Sequence, residues 1–297
     1  MTMALLIAWL LVPASAYVPA GVHELIVCGW DEVFILDMDQ QPPQKVWSWK
    51  AADRQDLPAE MKPKFKTTDE CKPVNNGAQI LITSSSDGIA LVDRADGRVL
   101  FYGSAGGAHS AEMLPGGRIA VAASTSKKPL ADSLVLFDVK KSGQPLFSTE
   151  LVSGHGVVWD GKRKLLWTLS GQVLRTYKLV DWKSEKPQLR KTGEYSIPGK
   201  GGHDLQAVPG TPFLSVTATD HAWYFDRQKQ TFLDHPQVAD EINVKSITVN
   251  PSTGQIVWTR ADEGFWWTDT LRFLNPERQY RMSGERLYKA RWITTRR

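Results

Sequence analysis

Three histidines occupy the same position in a recurring sequence pattern. His109, His155 and His203 each follow a glycine within two positions and precede a short apolar run, a turn and a second apolar run, as in "GGAHSAEMLPGGRIAVAAS" over residues 106–124. An imidazole titrates near neutral pH, so it can act as an acid or a base. It can also bind a divalent metal through a ring nitrogen. Because three of the six histidines share one repeat position, we expect them to form a single site.

The repeat itself predicts the fold. A turn followed by a strand recurs at residues 76–84, 116–124, 161–170, 210–218 and 252–260, with a spacing of roughly 40 to 48 residues. After each copy comes an apolar run ending in Asp, then a polar turn and another strand, as in "IALVDRADGRVLFYG". Alternating apolar residues, β-branched and aromatic residues and Gly/Asp/Pro turns are typical of strands. Four short antiparallel strands per repeat, named a to d, indicate an all-β fold, a β-propeller.

Six such repeats fit the chain, which predicts a six-bladed propeller. The first repeat, beginning at residue 21, lacks an a strand, and the last segment, residues 285–294, has no partner strands after it. The C-terminal strand is therefore expected to supply strand a of the first blade, closing the ring without an open edge. A β-sandwich or another blade count is the alternative.

Propeller geometry gathers the histidines around one axis. Strand a lies nearest the axis, so residues at its start surround one mouth of the central channel, called the top. Alignment of the other repeats places Glu70, Lys245 or Ser246, and Lys289 or Arg291 at the same height. The alternative is a structural role, because propellers built from Trp-Asp repeats also carry a Gly-His pair whose His bonds within the blade.

The loops between strands b and c should surround the same mouth. Tryptophan faces stack on sugar rings, and Asp and Arg bond hydroxyls or carboxylates. The loop residues that suit a ligand are Trp30, Asp31, His221, Arg260 and Trp266. Packing in the core is the alternative for the tryptophans, and between blades it is expected of Trp167 and Trp258.

Three kinds of chemistry suit this ring. His109, His155 and His203 could bind a divalent metal, although no cofactor is certain. In β-elimination on a uronic acid, Lys245, Lys289 or Arg291 would meet the carboxylate, and a His or a Tyr would take the proton. Hydrolysis would need an acid and a nucleophile, with Glu70 and a His as first candidates.

A resemblance points in the same direction. Glycine–histidine pairs opening the inner strand resemble those of the propeller-type polysaccharide lyases and the rhamnose–glucuronate-cleaving propellers, in which central His, Tyr and Arg residues act on uronic-acid chains. The whole sequence is also similar to an uncharacterised family of exported bacterial β-propellers with "CGWD" near the start and "YKARW" near the end, here Cys28–Asp31 and Tyr288–Trp292. The resemblance implies an acidic carbohydrate as ligand, which is bound and, in a lyase or a glycosidase, cleaved. The alternative is a non-catalytic propeller that binds a ligand or a protein.

The N-terminal segment predicts where the protein is located. Residues 1–16 form an apolar stretch ending in Ala-Ser-Ala, which is typical of a signal peptide cleaved before Tyr17. An N-terminal membrane anchor is the alternative. Residues 17–297 are then expected to form one propeller domain. We expect this domain to be extracytoplasmic (periplasmic or secreted) and a monomer, without a later membrane span.

The cysteines and the charge balance add two further expectations. Export permits a disulfide between Cys28 and Cys71, and two buried free thiols are equally compatible with the sequence. With 36 basic and 32 acidic residues and no long basic run, nucleic acid is not expected as a partner.

Overall fold

The chain forms a six-bladed β-propeller, as the repeat predicts. The computed structural model describes residues 23–293. These residues form six sheets of four antiparallel strands each. The predicted signal peptide lies outside the described residues.

The strands of each blade are given from the axis outward. Blades 1 to 3 consist of β24 (Lys289–Trp292), β1 (Glu24–Gly29), β2 (Glu32–Asp37) and β3 (Gln44–Trp49); β4 (Thr68–Val74), β5 (Gln79–Ser84), β6 (Gly88–Asp93) and β7 (Val99–Ser104); and β8 (Ala108–Leu114), β9 (Arg118–Ala123), β10 (Ser133–Asp138) and β11 (Pro145–Glu150). Blades 4 to 6 consist of β12 (Gly156–Asp160), β13 (Leu165–Leu169), β14 (Val173–Val180) and β15 (Gln188–Ser196); β16 (Asp204–Ala207), β17 (Phe213–Thr217), β18 (Ala222–Asp226) and β19 (Thr231–Asp234); and β20 (Val244–Val249), β21 (Ile256–Arg260), β22 (Thr270–Leu274) and β23 (Arg278–Arg281). The described residues also contain three short 3-10 helices, at Ala51–Asp53, Lys62–Phe65 and Asn75–Gly77.

Burial explains the sequence pattern of the strands. Strand β9, second from the axis, is buried at every position, whereas the outermost strand β15 alternates between exposed and covered residues over much of its length. A second strand has another blade on both faces, so it needs a continuous apolar run, while an outer strand has one face toward water. The apolar runs of the repeat are therefore the b and c strands.

The hydrophobic core is divided among the blade interfaces. One cluster joins blades 1 and 2 through residues such as Ile26, Trp49 and Ile82, and another joins blades 4 and 5. Trp167 and Trp258 are 2% and 6% exposed and belong to two such clusters. The prediction that these two tryptophans pack between blades is therefore confirmed.

The C-terminal strand closes the ring. Strand β24 pairs antiparallel with β1, with Leu25 opposite Trp292 and Val27 opposite Ala290. The first and last segments of the chain thus share one blade, as predicted. Cys28 and Cys71 are buried free thiols at the interface of blades 1 and 2.

Candidate functional site

The site lies where the six inner strands begin. In β4, β8 and β20 the pairing register shifts by one residue, which leaves Asp69, His109 and Lys245 as extra residues of β-bulges. In the other three blades the equivalent residue directly precedes the inner strand, and its backbone N–H bonds to the neighbouring strand. These six positions form what we call the mouth ring: Asp69, His109, His155, His203, Lys245 and Tyr288. Because bulges re-aim side chains, they are common next to functional sites.

Three imidazoles of the mouth ring lie side by side. The ring centroids of His109 and His155 are 4.3 Å apart, and those of His155 and His203 are 5.7 Å apart. All three residues are partly exposed, and the side chain of His109 is 18% exposed. The three histidines that share one repeat position are therefore in contact, one after the next, around the propeller axis. All three reach solvent.

Backbone carbonyls fix the tautomers of two histidines. Nδ1 of His109 lies 2.8 Å from the carbonyl oxygen of Gly107, and Nδ1 of His155 lies 3.0 Å from that of Ser153. A carbonyl only accepts, so both Nδ1 atoms carry the proton. In a neutral ring this leaves Nε2 with a lone pair for a proton or a metal, an arrangement usual for metal-binding histidines.

His203 is oriented by a lysine instead. Nζ of Lys245 lies 2.9 Å from Nε2 of His203 and donates to it when charged. The hydroxyl of Thr219 is 3.3 Å from the same nitrogen. Nδ1 of His203 is buried, with no hydrogen-bond partner in residues 23–293.

The mouth favours neutral bases. Burial, together with the neighbouring imidazoles, lowers the pKa of His155 well below its usual value. Burial, with Lys245 and Lys289 nearby, does the same for the pKa of His203. Burial, and then the charge of Lys289, lowers the pKa of Lys245 to about 8. Near neutral pH, His155 and His203 are therefore uncharged.

Asp69 and Tyr288 complete the ring with two oxygen groups. Burial raises the pKa of Asp69, against the opposing effect of His109, whose Nε2 lies 3.8 Å from its Oδ1. Burial and nearby carboxylates, first Asp69 and Asp204, raise the pKa of Tyr288 well above its usual value. The phenol therefore stays protonated and can serve as a hydrogen-bond donor or an acid.

Below the mouth, two basic and two acidic residues form ion pairs in what we call the central ion network: Glu70, Asp204, Lys289 and Arg291. Arg291 bonds Glu70 through two contacts of 2.9 Å and Asp204 through contacts of 3.0 and 2.6 Å. Nζ of Lys289 lies 3.2 Å from Oδ1 of Asp204. Burial alone would raise the pKa of Glu70, but Arg291 and the nearby lysines lower it to about 2.

The network corrects three sequence-based expectations. Glu70, Lys289 and Arg291 lie one or more residues farther along their strands than the histidine level, which Asp69 and Tyr288 occupy in those blades. The charge of Arg291 is matched by Glu70 and Asp204, so it does not face the mouth as a free anion anchor. Of the predicted basic residues, Lys245 alone is at the mouth level. Because a bulge adds one residue that sequence alignment cannot place, Asp69 was missed.

The predicted loop residues have varied surroundings. Trp30 and Trp266 stack on each other at 5.6 Å, with 13° between the ring planes. Asp31 is exposed and lies 3.7 Å from Lys50, and Arg260 pairs with Glu241 at 2.5 Å. His221 bonds Asp234 of the outermost strand of its own blade at 2.9 Å. The structure therefore brings two of these five side chains into contact.

Surface cavities lie away from the mouth ring. Three surface cavities of about 380 to 570 Å³ lie off the axis, two beside blades 1 and 2 and one between blades 4 and 5, and no residue of the mouth ring lines them. Within residues 23–293, no group of three His, Cys, Asp or Glu is arranged to hold a metal. Since Nε2 of His203 is bonded to Lys245, the three histidines would need that contact to open before binding one ion together.

Comparison with known proteins identifies the family but not the activity. Residues 11–296 match the model described as "Family of unknown function (DUF6528)", and the chain belongs to this family. No curated protein matches the chain significantly. In the part of the chain that the structure describes, helices long and apolar enough to cross a membrane are absent.

Proposed function

We propose that the mouth ring binds an acidic carbohydrate in an extracytoplasmic compartment and acts on it as an acid/base site. The observation that carries the proposal is a series of contacts from His109 through His155 to His203, which in turn contacts Lys245. Lys245 has no carboxylate partner within residues 23–293. Lys245 would meet the sugar carboxylate. The resemblance to propellers that act on uronic-acid chains supports this choice of ligand.

The protonation states favour elimination over hydrolysis. In β-elimination, a base removes the proton next to the carboxylate carbon, a C=C bond forms, and the leaving oxygen is expelled and takes up a proton. His109 and His155 offer an Nε2 lone pair for the first step, and the protonated phenol of Tyr288, in the same ring, would supply the proton for the last. Hydrolysis usually requires two working carboxylates, but Glu70 and Asp204 are bound to Arg291.

A divalent metal held by His109, His155 and His203 would bind the carboxylate in place of Lys245, and metal analysis of the purified protein tests for it.

Binding without cleavage is the second candidate. It is favoured by the central ion network, which satisfies the strongest charges of the channel internally.

The test is incubation with a panel of uronic-acid polysaccharides. We expect ultraviolet absorbance from a new C=C bond, together with new chain ends. His155→Gln should abolish the product, whereas His221→Gln, at a histidine bonded to an outer strand, should not. Retained binding without products would establish the non-catalytic candidate, and absence of binding to every member of the panel would overturn the proposal.

A further inference from the structure

An aromatic surface lies directly beside the mouth ring. We call Trp30, Phe265, Trp266, Trp267 and Arg286 the aromatic platform. Trp30, Phe265 and Trp266 are 38%, 58% and 37% exposed, and they account for three of the seven exposed large apolar side chains of residues 23–293. Monomeric proteins rarely group such side chains without a binding role.

The platform is continuous with the mouth. The ring of Trp266 makes an edge contact with Tyr288 at 5.7 Å. The carbonyl of Trp30 accepts a hydrogen bond from the backbone of Thr68, the residue before Asp69 in the mouth ring. A ligand leaving the mouth over blades 1 and 6 therefore meets aromatic faces.

A positive charge without a counterion lies on this surface. The guanidinium of Arg286 is 4.1 Å from the ring centroid of Trp30 and 5.3 Å from that of Trp267. No carboxylate of residues 23–293 lies within ion-pair distance of it, and neighbouring Glu285 is paired with Lys45. An exposed Arg over aromatic rings suits a carboxylate attached to an apolar ring face.

Backbone conformation at the platform is unusual. Trp30 has a φ of 53°, a left-handed conformation that a bulky residue adopts at a cost of about 1 kcal/mol or more. The preceding Gly29 has no room for a side chain, because a Cβ there would lie 2.0 Å from the carbonyl oxygen of Arg286. Such positions mark functional sites when the surrounding structure maintains them.

From these contacts we infer that the platform is a second subsite, which holds the neighbouring sugar of an acidic oligosaccharide. The sugar ring stacks on Trp266, and its carboxylate binds Arg286. This inference rests on the proposed function of the mouth. It makes the ligand a chain rather than a single sugar, since the mouth and the platform would each hold one sugar.

The experiment compares galacturonic acid with its tetramer by isothermal titration. The tetramer should bind at least about tenfold more tightly, the gain expected from one charge-assisted contact and one stacking contact. Trp266→Ala and Arg286→Gln should each lose most of that gain, and Arg286→Gln, which does not contact the mouth ring, should leave the affinity for the monomer unchanged. Both side chains are on the surface, and circular dichroism checks that the variants fold.

Trp182→Ala is the matched control. Trp182 also has an arginine over its ring, Arg118 at 4.5 Å, but it belongs to the loop between β14 and β15 at the opposite end of the propeller. This variant should bind the tetramer as the wild type does. Equal binding of monomer and tetramer by the wild type would overturn the platform and leave the mouth standing. Failure of both ligands to bind would overturn the platform, and absence of binding to every member of the polysaccharide panel would overturn the proposed function as well.

Discussion

Replacing Arg291 by Gln should destabilise the protein more than any single surface change. The guanidinium makes four hydrogen bonds of 2.6 to 3.0 Å to two buried carboxylates. Without it, Glu70 and Asp204 keep Lys289 as their nearest cation, 3.7 and 3.2 Å away. Breaking a buried ion pair typically costs about 3–5 kcal/mol, so the melting temperature should fall by roughly 5–8 °C in a chain of this length.

The assay is urea unfolding followed by tryptophan fluorescence, with Arg281→Gln as the matched control. Arg281 also bonds a carboxylate, that of Asp269 at 2.7 Å, but its side chain is 74% exposed. Its loss should cost far less than the loss of Arg291, because an exposed ion pair contributes little to stability. If Arg291→Gln lost no more stability than Arg281→Gln, the central ion network would not hold the closing strand β24 in the way its geometry indicates.

Three further predictions concern the mouth ring and the thiols. Because burial lowers the pKa of His155, the unfolded chain binds a proton there before the folded protein does, and stability is lost below about pH 6.5. His155→Gln should make the unfolding free energy depend less on pH, by up to about 1.4 kcal/mol per pH unit, in urea titrations at pH 7 and 5. An equal change of unfolding free energy with pH in the variant and the wild type would contradict this. Lys245→Met should raise the unfolding free energy by about 1–3 kcal/mol, because burial disfavours the charged ammonium and lowers its pKa to about 8. The same variant should not bind galacturonate. If it were less stable than the wild type, the description of Lys245 as a buried ammonium that costs stability would be wrong. Cys28 and Cys71 should be unreactive toward a thiol reagent in the native protein and yield two thiols on denaturation, because both are buried and free; an absence of thiols would indicate a disulfide.

The fold could be predicted because its signals are local and repeated. Each blade carries its own turn residues and apolar b and c strands, such as β9 and β10. Closure by β24 followed from counting strands, since the first repeat lacks an inner strand and the last segment has no partners. The contact among His109, His155 and His203 followed from their equal position in successive repeats.

The remaining parts of the site depend on contacts between residues distant in the sequence. Glu70 and Arg291 come from opposite ends of the chain, and Asp204 reaches Arg291 from another blade. Nothing in the repeat indicates that these charges neutralise each other. The one-residue bulge at Asp69 is also set by pairing with β5, which is why Glu70 was placed at the mouth instead.

The central claim is that His109, His155 and His203 contact the ligand. The most direct measurement is a two-dimensional NMR spectrum of the imidazole nitrogens while galacturonate tetramer is added. The protein contains six histidines, and the three outside the mouth ring, His23, His221 and His235, serve as internal controls. We predict that the signals of His109, His155 and His203 shift until the site is saturated, while the signals of the controls stay in place. Unchanged signals from all three mouth histidines in the presence of bound tetramer would contradict it.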